Sequence, residues 1–248
     1  MKFLLSTILS VFIIFNTSAQ SLDSTIKYIW KNDVTKISAA IEIYGLQQKN
    51  SSFCVFYLNN VDTVFNDISD SLFNEFVNIS ALKCPIIKVS FYNNKDTVPT
   101  KKIKMYGEEL SKFILADVQK RFPQIKINNL IISGVDYFAL VALSAATNEP
   151  LKINKTALFF NEQETAALLS CVTSVDAKRL KGKLYFYINH QNDEDKFADS
   201  LTTNLALNSS IVLYRFDYYG DLISSNIFEE AYNWLLADGN NYIIRSGD

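Results

Sequence analysis

The sequence predicts an α/β protein: a mainly parallel sheet with helices on both faces. Three observations predict it. Short apolar runs recur along the chain, and two of them, 54–58 (CVFYL) and 184–188 (LYFYI), are apolar at every position, as strands buried on both faces are. Stretches with helical spacing separate the runs, and sustained strand–helix alternation implies parallel strands joined by crossover helices. Glycine and proline are scarce, 7 and 4 residues of 248, while aromatics make up 13% of the chain, which suits a packed core rather than disorder.

The elements follow in order. Residues 1–20 (MKFLLSTILSVFIIFNTSAQ) combine a positive start at Lys2, an apolar run over 3–15, and a small-residue cleavage site at Thr17, Ser18 and Ala19. That is the pattern of a secretory signal peptide, too short and wrongly flanked for a membrane span. Cleavage after Ala19 is expected, which leaves 20–248 as an exported chain, periplasmic or secreted. The segment 37–46 (ISAAIEIYGL) reads as an early strand, followed by the strand 54–58. Residues 68–79 have helical spacing through Ile68, Leu72, Phe76 and Ile79. The next strand is 85–92 (PIIKVSFY), then a polar loop, 93–100. An amphipathic helix follows over 107–122, its apolar stripe running through Leu110, Phe113, Ile114 and Val118. The strand 130–133 ends at Gly134, and a small-residue helix, 138–146, closes at Asn148 and Pro150. Beyond it the alternation continues: strand 156–160, helix 162–174, strand 184–188, helix 193–207, strand 211–216 and helix 227–236. Gly182 and Gly220 punctuate as turn residues.

Residues 20–248 are ample for one large domain and short for two. Without Lys2 they carry 23 basic and 26 acidic side chains, a formal charge of −3, which offers nothing to nucleic acid. No later run is long enough to span a bilayer, so no stable membrane insertion is expected. Cys54, Cys84 and Cys171 are too widely spaced for a zinc knuckle or a CxxC pair, and their apolar contexts point to buried free thiols; the alternative in an exported protein is one disulfide with one cysteine left over. His190 is the single histidine. That count argues against a metal centre and narrows acid–base chemistry near neutral pH, so neither metal nor cofactor is expected.

The stretch 129–143 (NLIISGVDYFALVAL) carries the most chemical information. An apolar strand ends at Gly134 and a helix begins almost at once. Enzymes that expose a serine nucleophile on a tight strand-to-helix turn use this form, G-x-S-x-G. Here the five positions hold Gly134, Val135, Asp136, Tyr137 and Phe138. An acid stands where the serine would be, and a bulky aromatic where the second glycine would be.

Taken with the order of elements, these residues resemble the esterase D family of α/β-hydrolases, the group that includes feruloyl and enterochelin esterases. The likeness runs from Ile37 to Leu236. Residues 55–60 (VFYLNN) look like the family's strand ending in L-D-G. Residues 89–100 (VSFYNNKDTVPT) resemble, in loose form, its next strand and its N-x-x-R-x-x-D-x-x-P loop. The helix 107–122 looks like the one that leads to the elbow strand. Residues 134–143 match G-x-S-x-G-G-x-x-A-L in length, with Gly134, Ala142 and Leu143 in register. Residues 184–195 resemble the strand and loop that carry the catalytic acid, and 218–225 (YYGDLISS) the stretch that usually carries D-H. The resemblance implies the α/β-hydrolase fold in a single domain over 20–248.

It also implies which residues to weigh for chemistry. A serine hydrolase needs a nucleophile, a base, a group that orients the base, and two N–H donors for the oxyanion. Asp136 holds the nucleophile position. A carboxylate can attack, but release of its ester needs a histidine-activated water. An aspartate there also suits a helix N-terminus and its dipole. The base position beside Asp221 holds Leu222, which cannot take a proton. His190, Asp193, Glu194 and Asp195 share the loop where the family keeps its acid. The backbone N–H of Tyr137 and one near Asn59–Asn60, taken as that of Asn60, would form the oxyanion hole. Phe138 must either tilt the elbow helix or fill the substrate cleft, because the glycine it replaces lets helix and strand pack closely.

The expected role is that of an exported, esterase-like protein without serine-hydrolase chemistry, which binds a small ligand or a protein partner. The alternative is an active carboxylic-ester hydrolase with a rearranged site, Asp136 or Ser133 working with His190. A third reading is an assembly factor for which the fold is only a scaffold. An open cleft beside Asp136 favours the small ligand, and a filled cleft with exposed apolar surface favours the protein partner.

Overall fold

All six strand runs expected for the parallel sheet fold as strands, and so does the early run at 37–46. A computed structural model describes residues 25–46, 54–60, 77, 84–92, 99–125, 130–135, 137–149, 152–161, 177–190, 196–206, 210–219 and 225–236; for 54–60, 99–100, 161, 177, 189–190, 196–198, 206, 218–219, 225 and 236 it describes the backbone. The strands are β1 (Ile26–Asn32), β2 (Ile37–Tyr44), β3 (Cys54–Asn60), β4 (Ile86–Phe91), β5 (Leu130–Val135), β6 (Ile153–Asn161), β7 (Gly182–His190) and β8 (Ile211–Tyr219). They form one sheet in the order β1-β2-β4-β3-β5-β6-β7-β8. From β4 to β8 every neighbouring pair is parallel. β2 runs antiparallel to both β1 and β4. β1 has no counterpart among the expected elements. Its lysines, Lys27 and Lys31, alternate with apolar residues on a strand whose one face is largely exposed, so it carries no continuous apolar signal.

Burial follows position in the sheet. β4 is buried at all six positions, and so are 184–188 of β7. β2, one strand from the edge, alternates strictly between buried and half-buried. A period of two marks one face in the core; continuous burial marks a strand covered on both. The covering helices are α1 (Pro99–Glu108), α2 (Leu115–Arg121), α3 (Tyr137–Asn148), α4 (Lys196–Ala206) and α5 (Ser225–Leu236). Leu110, Val118, Leu140, Leu143 and Leu201 pack with Val89 and Leu158 on one face. Phe228, Tyr232 and Leu235 of α5 pack with Phe159, Tyr185 and Tyr187 on the other. Among the described residues no helix is long and apolar enough to cross a membrane.

Two expectations need correction. The helix expected over 107–122 begins at Pro99, which shortens the loop before it. Proline suits a first helical turn, whose N–H groups have no partner within the helix. Between α1 and α2 the chain forms a π-turn, Glu109–Ile114. The wider turn shifts the phase of the apolar stripe. Glu109 and Ser111 now face inward, while Phe113, expected within the stripe, is 46% exposed. The helices expected at 68–79 and 162–174 lie outside the described residues, apart from Val77, which is helical and buried.

The inward turn of Glu109 anchors the β1–β2 hairpin. Its carboxylate accepts from the Asn32 side-chain amide at 3.0 and 3.2 Å. The Asn32 carbonyl oxygen accepts in turn from the Val34 and Thr35 backbone N–H groups, which forms the tight turn. Nearby, the Tyr28 hydroxyl donates to Asp117 at 3.1 Å, and Arg121 lies 4.7 Å over the Tyr28 ring. Burial, and then the charge of Asp117, raises the Tyr28 pKa; burial likewise raises that of Tyr185. A phenol whose pKa is raised by folding keeps its proton after the unfolded chain has begun to lose it. Its contribution to stability is complete below about pH 10, the ordinary phenol value, and falls as the pH rises beyond it. Thermal melts should therefore show Tm falling between about pH 10 and 12. The double variant Tyr28→Phe, Tyr185→Phe should lose less over that range, and an equal loss would contradict the assignment.

Candidate functional site

The elbow begins on an interior strand. β5 lies between β3 and β6, and residues 130–134 are buried. A Cβ at Gly134 would fall 2.3 Å from the carbonyl oxygen of Phe138 and 2.7 Å from the nitrogen of Ala139. The first turn of α3 thus rests directly on the strand backbone, an approach that only glycine allows. From Phe138 to Thr147 every residue of α3 is buried. Where α3 meets α1, a Cβ at Gly107 would fall 2.5 Å from the Ser144 hydroxyl oxygen. Two glycines therefore clamp the elbow helix between strand and helix.

Phe138 resolves the choice left by the sequence. Its ring is 8% exposed, near-parallel to that of Phe91 at 6.3 Å, and edge-on to Tyr137 at 5.4 Å. Phe91, the last residue of β4, stacks in turn on Tyr106 of α1 at 4.4 Å. The Tyr106 hydroxyl donates to the Tyr92 backbone carbonyl. The helix keeps its close contact at Gly134, so the ring has gone inward. Phe138, Phe91 and Tyr106 fill the space beside the elbow and join the main core. This stack has no sequence signature, because its members are contributed by three separate elements.

Asp136 itself lies outside the described residues, as do Asp193, Glu194, Asp195, Asp221 and Leu222. Their described neighbours gather at the carboxyl edge of the parallel strands, where open α/β sheets bind ligands. Tyr137 opens α3, one position past Asp136. Asn60 ends β3; in the β3–β5 ladder Leu58 stands level with Gly134, so Asn60 is two residues further along. His190 ends β7, paired with Tyr219. β6 separates β7 from the elbow strand, and two strand spacings amount to roughly 10 Å. Through β6, Val135 is level with Phe159 and Phe159 with Tyr187, which sets His190 three residues beyond the elbow level. His190 and the elbow share an edge of the sheet but are not strand neighbours.

Ser133 lies in the core. It is fully buried, and its hydroxyl shares a hydrogen bond with that of Tyr232 on α5. Strand alternation turns it to the α5 face, with Ile131, away from the α3 side where Gly134 lies. A hydroxyl packed in the core does not meet substrate. Ser133→Ala should cost about 1–2 kcal/mol, because it takes a buried partner from the Tyr232 hydroxyl. The urea midpoint measures it; an unchanged midpoint would mean that the bond contributes nothing. Cys84 is buried, as expected. The side chain of Cys54 and all of Cys171 lie outside the description.

No protein-family model matches the chain, and no curated protein matches it in sequence. Solved structures do resemble it. An S-formylglutathione hydrolase from Agrobacterium tumefaciens matches with a TM-score of 0.60 at 11% identity, over 87% of this chain and 96% of the other. An esterase from Pyrococcus furiosus matches with a TM-score of 0.57 at 13% identity, over 86% and 88%. An enterobactin esterase from Shigella flexneri matches with a TM-score of 0.53 at 15% identity, over 87% of this chain and 58% of that longer one. At these identities the likeness establishes the fold. The chain has the α/β-hydrolase fold, and the structures that share it are esterases of the type its sequence resembles.

Proposed function

We propose that this α/β-hydrolase-fold chain is an exported, esterase-like protein that has lost hydrolase chemistry and works by binding. The observation that carries the reading is the Phe138 ring, buried against Phe91, which stacks in turn on Tyr106, at the position where a hydrolase of this type would have a glycine. The sequence supports it independently. Asp136 occupies the nucleophile position and Leu222 the base position, and a proton-accepting base is indispensable to a serine nucleophile. The buried Phe138 ring favours a protein partner over a small ligand. Met105 and Phe113, exposed on the helical segment that packs against the elbow helix, supply apolar surface for such a partner. Export follows from the leader-like residues 1–20.

Restoring the nucleophile alone tests this reading. Asp136→Ser should give no turnover of p-nitrophenyl acetate above a buffer blank and no labelling by a fluorophosphonate, because triad members act as a unit. Rapid labelling of that variant would mean that a base and oxyanion donors are already in place, and would return the site to the hydrolases.

A further inference from the structure

The two edges of the sheet are built differently. On β1, Lys27 and Lys31 flank Ile29 on the exposed face, and lysines on an edge strand oppose pairing with another chain. β8 lacks the lysines. Its nine residues, IVLYRFDYY, contain no lysine and no proline. Its ladder to β7 runs without a bulge from Gly182↔Ile211 to His190↔Tyr219. None of residues 211–217 is buried, and Val212 is 59% exposed. β8 is the last strand of the sheet, so among the described residues no strand pairs with its outer edge. A long, regular edge is a template for another strand, and folded proteins cover such edges.

The charges on β8 select the occupant. Arg215 and Asp217 are its charged residues, two apart and so on one face. Arg215 holds Asp217 at 2.8 Å and Asp199 of α4 at 3.3 Å. Two β8 strands paired antiparallel about a dyad at Phe216 set Arg215 of each copy opposite Asp217 of the other. Moving the dyad one residue, to Arg215 or to Asp217, sets like charges opposite each other, which is unfavourable. The strand is thus complementary to itself in one register, as a two-fold interface requires. We propose that β8 pairs antiparallel with β8 of a second copy of this chain, joining two eight-stranded sheets edge to edge.

Sedimentation equilibrium of the protein lacking its leader tests the pairing. The parent should be a dimer. Asp217→Arg places arginines opposite each other twice and should raise the dissociation constant by about tenfold or more. The charge swap Arg215→Asp with Asp217→Arg restores opposite charges in the same register and should recover the dimer. Circular dichroism melts establish that each variant is folded. Should Asp217→Arg unfold, amide hydrogen exchange on the parent replaces it, and β8 protection should rise with protein concentration. A parent that stays monomeric at about 100 µM, or a dimer indifferent to Asp217→Arg, overturns the proposal. So does a monomer whose β8 amides lose protection only when 237–248 are deleted, since that would put the chain's own C-terminal segment on this edge.

Discussion

Gly134→Ala should destabilise the protein by about 3 kcal/mol or more, measured from the urea midpoint and slope. The added methyl would meet the Phe138 carbonyl oxygen at 2.3 Å, its carbon at 2.4 Å and the Ala139 nitrogen at 2.7 Å. These are backbone atoms, so no side-chain rotation relieves the clash, and the whole of α3 must lift off β5. That helix is buried from Phe138 to Thr147, so lifting it disturbs the main core. Gly107→Ala is the internal comparison. Its nearest neighbour is the Ser144 hydroxyl at 2.5 Å, the end of a small side chain, although Ser144 Cβ follows at 2.7 Å. It should cost less, about 1–2 kcal/mol. A Gly134→Ala variant within about 0.5 kcal/mol of the parent would mean that the elbow helix does not rest on the strand as described.

The second large effect belongs to Phe138. Phe138→Ala should cost about 3–4 kcal/mol, because it removes a nearly buried ring from a stack closed by Phe91 and Tyr106. Phe138→Leu, which keeps most of the volume, should cost less than about 1.5 kcal/mol. The alanine variant should also gain a property the parent lacks. A hole lined by aromatic rings takes up small apolar molecules, so indole should raise the Tm of Phe138→Ala and leave that of the parent unchanged. If indole stabilises both equally, the ring does not fill the space beside the elbow.

The sequence showed the architecture wherever burial leaves a periodic or continuous apolar mark. The runs at 85–92, 130–133 and 184–188 fold as interior strands because both of their faces are covered. β1 was invisible for the opposite reason: its lysines on an exposed face break the run. The π-turn Glu109–Ile114 has no signature in the sequence: a single helical period over 107–122 puts Phe113 on the apolar stripe, and the change of pitch turns it outward. At the site, Gly134 and the elbow were legible from spacing alone. Ser133 looked available because it sits next to the elbow in sequence, but strand alternation turns it toward Tyr232. The fate of Phe138 depended on Phe91 and Tyr106, residues 47 and 32 positions upstream in the chain, and no local pattern signals such a stack.

The most direct test of the central claim is ester hydrolysis by the unmodified protein. Prepared without residues 1–19, it should hydrolyse p-nitrophenyl acetate no faster than a buffer blank, at any pH between about 6 and 9, the range in which an unperturbed histidine changes charge and beyond. Clear turnover that disappears in His190→Ala would contradict the account and establish a working hydrolase with a rearranged site.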